Sequence, residues 1–418
     1  MELAKAAEQA VMDGQELGPL HGVPVVVKDL EATPGIRTTF GSLIFKDYVP
    51  DFTSGVAERV KASGAVMLGK TNTPEFGQLG TTENRLGPAC TNPWDTTRTT
   101  GGSSGGAGAA LAAGLCSQAT GSDAGGSIRI PASFCGVYGI KPTLGRVPRF
   151  GGVAHPSPNP VSQPGPMSLT VRDSTLFLNV LAGPDDRDVI TLRDQPPGYL
   201  EGLDDGVGGL RMAWSPDMGF AAVDPEVAKV TSESAAVFEE LGATVDEPGL
   251  KLEEPFPRLE VISSANLYES HGHFLDERRD DLTDYVREKL EEGKGVTGAE
   301  YARALRHLEQ LDFHMSVLME TYELLLTPTM AVPAFHIGTK PDTIGGHEVD
   351  PDWAFNPFNL LANVTRRPAA SVPCGFSSDG LPIGLQIVGR RGEESTVLRA
   401  SAAFEKARPW ADKHPPVS

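Results

Sequence analysis

Residues 101–143, GGSSGGAGAALAAGLCSQATGSDAGGSIRIPASFCGVYGIKPT, restrict the fold more than any other stretch of the chain. Two serines lie inside glycine runs, Ser103 in GGSSGG and Ser127 in DAGGSIR. Between them, residues 104–115 are nearly all alanine and glycine, a composition that favours a helix packed very close to neighbouring backbone. The run Ala124-Gly125-Gly126-Ser127 lets the chain turn tightly and leaves successive N–H groups pointing into a shared space. Such a space suits the oxyanion that develops when a serine attacks a carbonyl. Neither glycine run is followed by the Lys-Ser/Thr pair of a phosphate-binding loop.

A serine hydroxyl is a poor nucleophile until a base removes its proton. Histidine is the usual base, but GxSxG is absent. Among the 9 histidines only His21 is close in sequence to a suspected site residue. His271-Gly-His273 reads as a polar helix edge rather than a metal pair, because no HExxH pattern accompanies it. A neutral lysine can serve instead when burial disfavours its charge. Lys28 ends the apolar segment VPVVVKD and is placed for that role, although a strand-end lysine also snorkels readily to solvent. Lys70 and Lys141 are rival candidates near small-residue motifs. Cys135, in SFCGVYG, reads as core packing rather than a nucleophile.

The rest of the chain alternates strand-like and helix-like segments. Apolar runs at 23–27, 65–68, 210–214, 243–245, 324–326, 370–372 and 384–388 read as buried strands. A helix is expected at 3–13. Asp224-Pro225 starts another, which Gly242 stops. Thr297 and Glu300 form a capping-box pattern before a helical stripe running from Tyr301 to Tyr322. A last helix is expected at 394–405. Residues 142–166 are dense in glycine and proline and read as an ordered loop walling a cleft. This β-α-β alternation points to an α/β architecture. Neither a repeat nor a clean linker interrupts it, so residues 1–418 are expected to form one domain.

Charge and cysteine usage narrow the partners. With 36 basic against 55 acidic residues the net charge is −19, which repels nucleic acid and anionic membranes. No apolar run reaches a membrane-spanning length, and the first residues do not resemble a secretory signal. The four cysteines lie far apart without CxxC, so neither a zinc knuckle nor a disulfide framework is expected. A cytoplasmic protein with free thiols and no metal is the resulting expectation.

At these motifs the sequence resembles the amidase signature family of serine hydrolases. The resemblance runs from GPLHGVPVVVKD through GKTNTPEFG, NPWDTTRTTGGSSGG and GSDAGGSIRIPASFCGVYGIKPT to GRVP. It resumes at Gly165-Pro-Met167, Thr327-Pro-Thr329, PAASVPCGF and GLPIGLQIVGRRG. It implies a single amidase-signature domain with a central mixed β-sheet covered by helices on both faces. The signature core would span about 20–150 and 365–410, around a variable specificity region at about 150–360.

The family's Ser-cisSer-Lys triad falls on Ser127 as nucleophile, Ser103 as bridging serine and Lys28 as base, with a cis peptide at Gly102-Ser103. The resemblance places the oxyanion hole on the backbone N–H groups of Ala124, Gly125, Gly126 and Ser127. Ser104, Asp123 and Arg129 are expected to support that network. Phe150, Met167 and the Pro156 to Pro164 loop are expected pocket walls. No metal or organic cofactor is implied.

Two departures stand out. Family members carry further helices before the lysine strand where this chain has about 20 residues, a shortening that would affect stability or a dimer contact. Asn363-Val-Thr-Arg-Arg-Pro368 occupies the place of a Thr-Gly pair, so Arg366 is either an ordinary surface substitution or reshapes a loop over the cleft.

The expected function is hydrolysis of carboxylic amides through a serine acyl-enzyme, extending to anilides, esters or carbamates of the urethane type. The partner is then a small amide, and the enzyme a monomer or homodimer. The alternatives are the glutaminase subunit of a tRNA-dependent amidotransferase, or a catalytically silent binding scaffold.

Overall fold

The computed structural model describes residues 1–152 and 160–417. In chain order its strands are β1 (Pro24–Lys28), β2 (Val66–Thr71), the ribbon β3 (Thr91–Asn92) and β4 (Asp95–Thr99), β5 (Gln118–Asp123), β6 (Tyr138–Lys141) and β7 (Gln163–Ser168). There follow β8 (Arg211–Trp214), β9 (Thr244–Asp246), β10 (Leu324–Pro328), the ribbon β11 (Thr343–Ile344) and β12 (His347–Glu348), β13 (Ala369–Phe376) and β14 (Pro382–Gly389). The helices of the first half are α1 (Glu2–Met12), α2 (Gly55–Ala62), α3 (Gly105–Ala112), α4 (Arg129–Cys135), α5 (Val171–Leu181) and α6 (Pro225–Glu240). Those of the second are α7 (Phe256–His271), α8 (Phe274–Glu277), α9 (Asp284–Gly295), α10 (Gly298–Thr321), α11 (Asn359–Val364) and α12 (Glu394–Ala407).

Ten strands form one sheet in the order β2-β1-β5-β7-β6-β13-β14-β10-β8-β9. Its two ends are parallel, β2-β1-β5 and β10-β8-β9. The middle, from β5 through β7, β6, β13 and β14 to β10, is antiparallel. The expected α/β fold with a central mixed sheet is therefore present.

Side chains alternate across each strand and so feed two cores. Val25, Val27, Leu324, Leu326, Leu385 and Ile387 point into a core shared with α2, α5, α6 and α12. On the opposite face Val26 packs with α3 and α4, while Leu325 and Val388 pack with α10 and α11. Burying these strands on both faces explains why they read as continuous apolar runs rather than alternating patterns.

Local signals set several boundaries. Asp224 accepts from Glu226 N at 2.8 Å and caps α6, and Gly242 follows its end with φ +89°. Both halves of the Thr297–Glu300 capping box are made at the start of α10. The small residues of α3 serve the close approach anticipated for them: a Cβ on Gly106 would strike the Asn72 backbone. One expectation is corrected. The end of the 142–166 tract is strand, because β7 runs from Gln163 through Pro164 and Pro166 and pairs with β5 along its length. Its prolines lie two residues apart, so their missing donors fall on one side of the strand. Residues 153–159 of that tract lie outside the described residues.

Candidate active site

The site forms where two neighbouring parallel strands end. β1 delivers Lys28, and β5 delivers Ser122 and Asp123 before the chain turns through Ala124-Gly125-Gly126-Ser127 into α4. The loop leading into α3 brings Ser103 and Ser104 between them. The Gly102-Ser103 peptide bond is cis, as expected for this segment.

Lys28 is 1% exposed. Its Nζ lies 2.7 Å from Ser103 Oγ, 2.8 Å from Ser104 Oγ and 3.1 Å from Ser122 Oγ. Burial pushes the Lys28 ammonium down to about 7, against the opposing pull of the Asp123 and Glu31 carboxylates. Lys70 and Lys141 are also pushed down by burial, to about 8 and about 7. A lowered pKa therefore does not separate the three lysines; their partners do. Lys141 Nζ is spent on the carbonyls of Pro142 and Arg367. Lys70 binds the Glu31 carbonyl, Thr33 and Thr38, and faces the Asp29 carboxylate at 3.9 Å. Among the described residues Lys28 alone of these reaches serine hydroxyls.

Ser103 and Ser127 line the same cavity, of about 110 Å³. The Ser127 hydroxyl has no hydrogen-bond partner among the described residues, while its carbonyl accepts from Ser104 N at 3.1 Å. Of the four N–H groups expected to form an oxyanion hole, that of Gly126 is committed to Asp123 Oδ1 at 2.7 Å. Those of Ala124, Gly125 and Ser127 have no acceptor among the described residues.

Asp123 and Arg129 brace this loop. Both are fully buried, and Arg129 donates to Asp123 through Nε and Nη2, each at 2.9 Å. Burial alone would raise the Asp123 pKa. The Arg129 charge and hydrogen bonds, with Lys141 and Asn363, overcome it and hold the carboxyl well below the usual range. The same guanidinium reaches the Asn359 carbonyl at 2.9 Å, Asn363 Oδ1 at 2.6 Å and Gln386 Oε1 at 2.5 Å. Asn356 Nδ2 adds a 2.6 Å bond to the Gly125 carbonyl. The 124–127 loop is thus pinned from α11, its preceding turn and β14.

The expected pocket walls are placed differently. Met167 is 0% exposed in the core beneath Ile128 and Ala119, away from the cavity. Phe150 lies under the Arg187 guanidinium, 4.6 Å from its ring centroid, and does not line the cleft. Of the Pro156 to Pro164 loop, Ser162 and Pro164 do line it, and 153–159 lie outside the described residues. Arg366 is exposed with φ +59° directly after α11, so it is a surface position whose backbone would suit glycine.

Other residues of the site escaped the sequence reading. Ser122 stands in the motif GSDAGGS, where its adjacency to Asp123 was a usable signal. His271 is corrected from a polar helix edge to a buried cavity wall, its ring 4.3 Å from that of Phe76, whereas His273 is exposed. No group of three or more His, Cys, Asp or Glu among the described residues is arranged to hold a metal. No described helix is long and apolar enough to cross a membrane.

Residues 1–398 match the family model described as Amidase. The chain is 40% identical to an acylamidase of Rhodococcus erythropolis, over 96% of this chain and 84% of that protein. It is 36% identical to a glutamyl-tRNA(Gln) amidotransferase subunit of Thermosynechococcus vestitus, over 99% and 90%. The crystal structure of a bacterial aryl acylamidase of the amidase signature enzymes superposes with TM-score 0.91 at 32% identity, covering 98% of this chain and 87% of that one.

Proposed function

This chain belongs to the amidase signature family, and from that premise we propose that it is a stand-alone amidase using Ser127, Ser103 and Lys28. The observation that carries the reading is the buried Lys28 Nζ, depressed to about 7 and 2.7 Å from Ser103 Oγ. Neutral Lys28 takes the Ser103 proton while Ser103 takes that of Ser127. Ser127 Oγ bonds to the substrate carbonyl carbon, and the negative charge moves to the carbonyl oxygen. Backbone N–H groups of Ala124, Gly125 and Ser127 are the donors available to that oxygen. Collapse breaks the C–N bond and the relay returns a proton to the departing amine; water, giving its proton to the same relay, then attacks the acyl-enzyme, the acyl–Oγ bond breaks, the acid leaves and Ser127 regains its proton. The same attack serves anilides, where C–N breaks, and esters, where C–O breaks and the relay's proton goes to the departing alcohol; a carbamate carbonyl carries both kinds of leaving group.

A serine-directed fluorophosphonate followed by peptide mass spectrometry tests this reading. One adduct on Ser127 is expected, absent in Ser127→Ala and formed at least a hundredfold more slowly in Lys28→Ala. A labelled protein whose adduct sits elsewhere, or an unaffected Lys28→Ala, overturns it. The second reading, a glutaminase component of an amidotransferase, draws on the 36% identity to the Thermosynechococcus protein. Release of ammonia from L-glutamine in preference to acyl and aryl amides would favour it.

A further inference from the structure

The cavity of about 110 Å³ beside Ser103 adjoins a second of about 60 Å³. Gly77, Gln78, Ala124, Ser127 and Ser263 line both, so the two meet at Ser127. Besides Ser127 itself, Gln78 and Ser263 are the polar side chains at this junction.

Gln78 follows a tightly held turn. Its N–H donates to the Glu75 carbonyl at 3.1 Å, and Phe76 N–H donates to the Phe40 carbonyl at 2.8 Å. Glu75 is 1% exposed. Its carboxylate accepts from Ser42 Oγ at 2.5 Å and from Thr283 N and Oγ1 at 2.7 and 2.6 Å. The Tyr285 hydroxyl accepts from Glu75 N at 2.7 Å. The backbone bearing Gln78 is therefore anchored before a substrate arrives.

A carbonyl orients the Gln78 carboxamide. The Phe76 oxygen lies 3.3 Å from one of its two terminal atoms and can only accept, so that atom is the NH2 group. Oε1, an acceptor with two lone pairs, receives no donor from the described residues. Gln78 is half-buried, and the space it borders is the cleft.

We propose that Gln78 selects amides that keep an N–H on the scissile nitrogen. The inference rests on the amidase reading of this same site and deepens it. A substrate bonded to Ser127 extends into both cavities, so in either orientation its C–N bond lies at their junction beside Gln78. Oε1 accepts from the amide N–H there. A tertiary amide sets an alkyl group against that oxygen and an ester sets a lone pair against it, so neither supplies the missing donor. Ser263 does not discriminate in this way, since a hydroxyl donates and accepts alike.

Three matched compounds test it: N-benzylacetamide, N-benzyl-N-methylacetamide and benzyl acetate. The secondary amide is expected to exceed the tertiary one in kcat/KM by tenfold or more. In Gln78→Leu the ratio of kcat/KM for the secondary amide to that for the ester is expected to fall about tenfold, the scale of one neutral hydrogen bond. In Ser263→Ala that ratio is expected to hold. Equal losses on amide and ester in Gln78→Leu would mean that Gln78 serves the shared carbonyl or the fold, and would overturn the proposal. A tertiary amide cleaved as fast as the secondary one overturns it too, as does a ratio that moves only in Ser263→Ala. So does failure to cleave the secondary amide by a protein that forms the Ser127 adduct. Absence of any fluorophosphonate adduct on Ser127 instead overturns the amidase reading itself, and this inference with it.

Discussion

Neutral Lys28 is the form that accepts a proton from Ser103 in the proposed relay, and its pKa of about 7 sets when that form exists. Below this value the amine is charged and cannot serve, so kcat/KM is expected to rise with pH through a single ionisation near 7 and to level above about 8. A profile flat from about pH 5.5 to 8.5 would sink the assignment of Lys28 as base. Gly77 matters for a steric reason: it sits at φ +72°, and a Cβ there would lie 2.9 Å from Leu30 Cδ1 and 3.3 Å from Ser103 Oγ. Gly77→Ala is expected to cost about 1–2 kcal/mol of stability and to lower kcat more than it changes KM. Unaltered steady-state kinetics would show that Ser103 tolerates the crowding. At this scale much of the site was legible, because Ser103, Ser127, Lys28, Asp123 and Arg129 stand in dense local motifs. Asn363, Gln386 and His271 were not, since ordinary side chains in ordinary helices and strands acquire their roles only through contacts across hundreds of positions.

Among the elements, α4 does most to hold the site. All seven of its residues are buried, and its first, Arg129, ties the β5 turn to α11 and β14. Arg129→Met would leave the Asp123 carboxylate buried without its charge partner and is expected to cost about 3–5 kcal/mol. Urea unfolding would measure this, and a loss below about 1 kcal/mol would mean that Asn363 and the backbone donors suffice. Arg366, in the left-handed turn after α11, gives the opposite expectation. Arg366→Gly relieves about 1–2 kcal/mol of backbone crowding and loses part of it to glycine's freedom in the unfolded chain. A net gain of about 0.5–1 kcal/mol should appear as a higher urea midpoint, and a lower midpoint would count against it. Strands with apolar runs and helices with caps were readable, as at β1, α6 and α10. α4 was not, because a helix buried on every side shows no amphipathic period, and β7 was hidden by two prolines that ordinarily argue against a strand.

For the molecule as a whole, strand order was the part least visible in the sequence. Neighbours such as β6 and β13 are joined across more than two hundred residues, and pairing at that range leaves no local pattern. The class of fold followed from the alternation of elements, and its two-sided helical cover was implied by the family resemblance. The Arg129 junction, whose partners run from Asp123 to Gln386, also has a meaning in time. The 124–127 loop is braced, through Arg129, by residues that emerge from the ribosome more than two hundred positions after it. Closing contacts of such long range is slow, so recovery of fluorophosphonate labelling on refolding should lag the recovery of secondary structure followed by circular dichroism. Coincident recovery would show that the loop sets without its brace. On the proposed reading, a growing chain therefore carries Lys28, Ser103 and Ser127 well before the brace that completes their site, which keeps the nucleophilic hydroxyl dormant until the fold around it is complete.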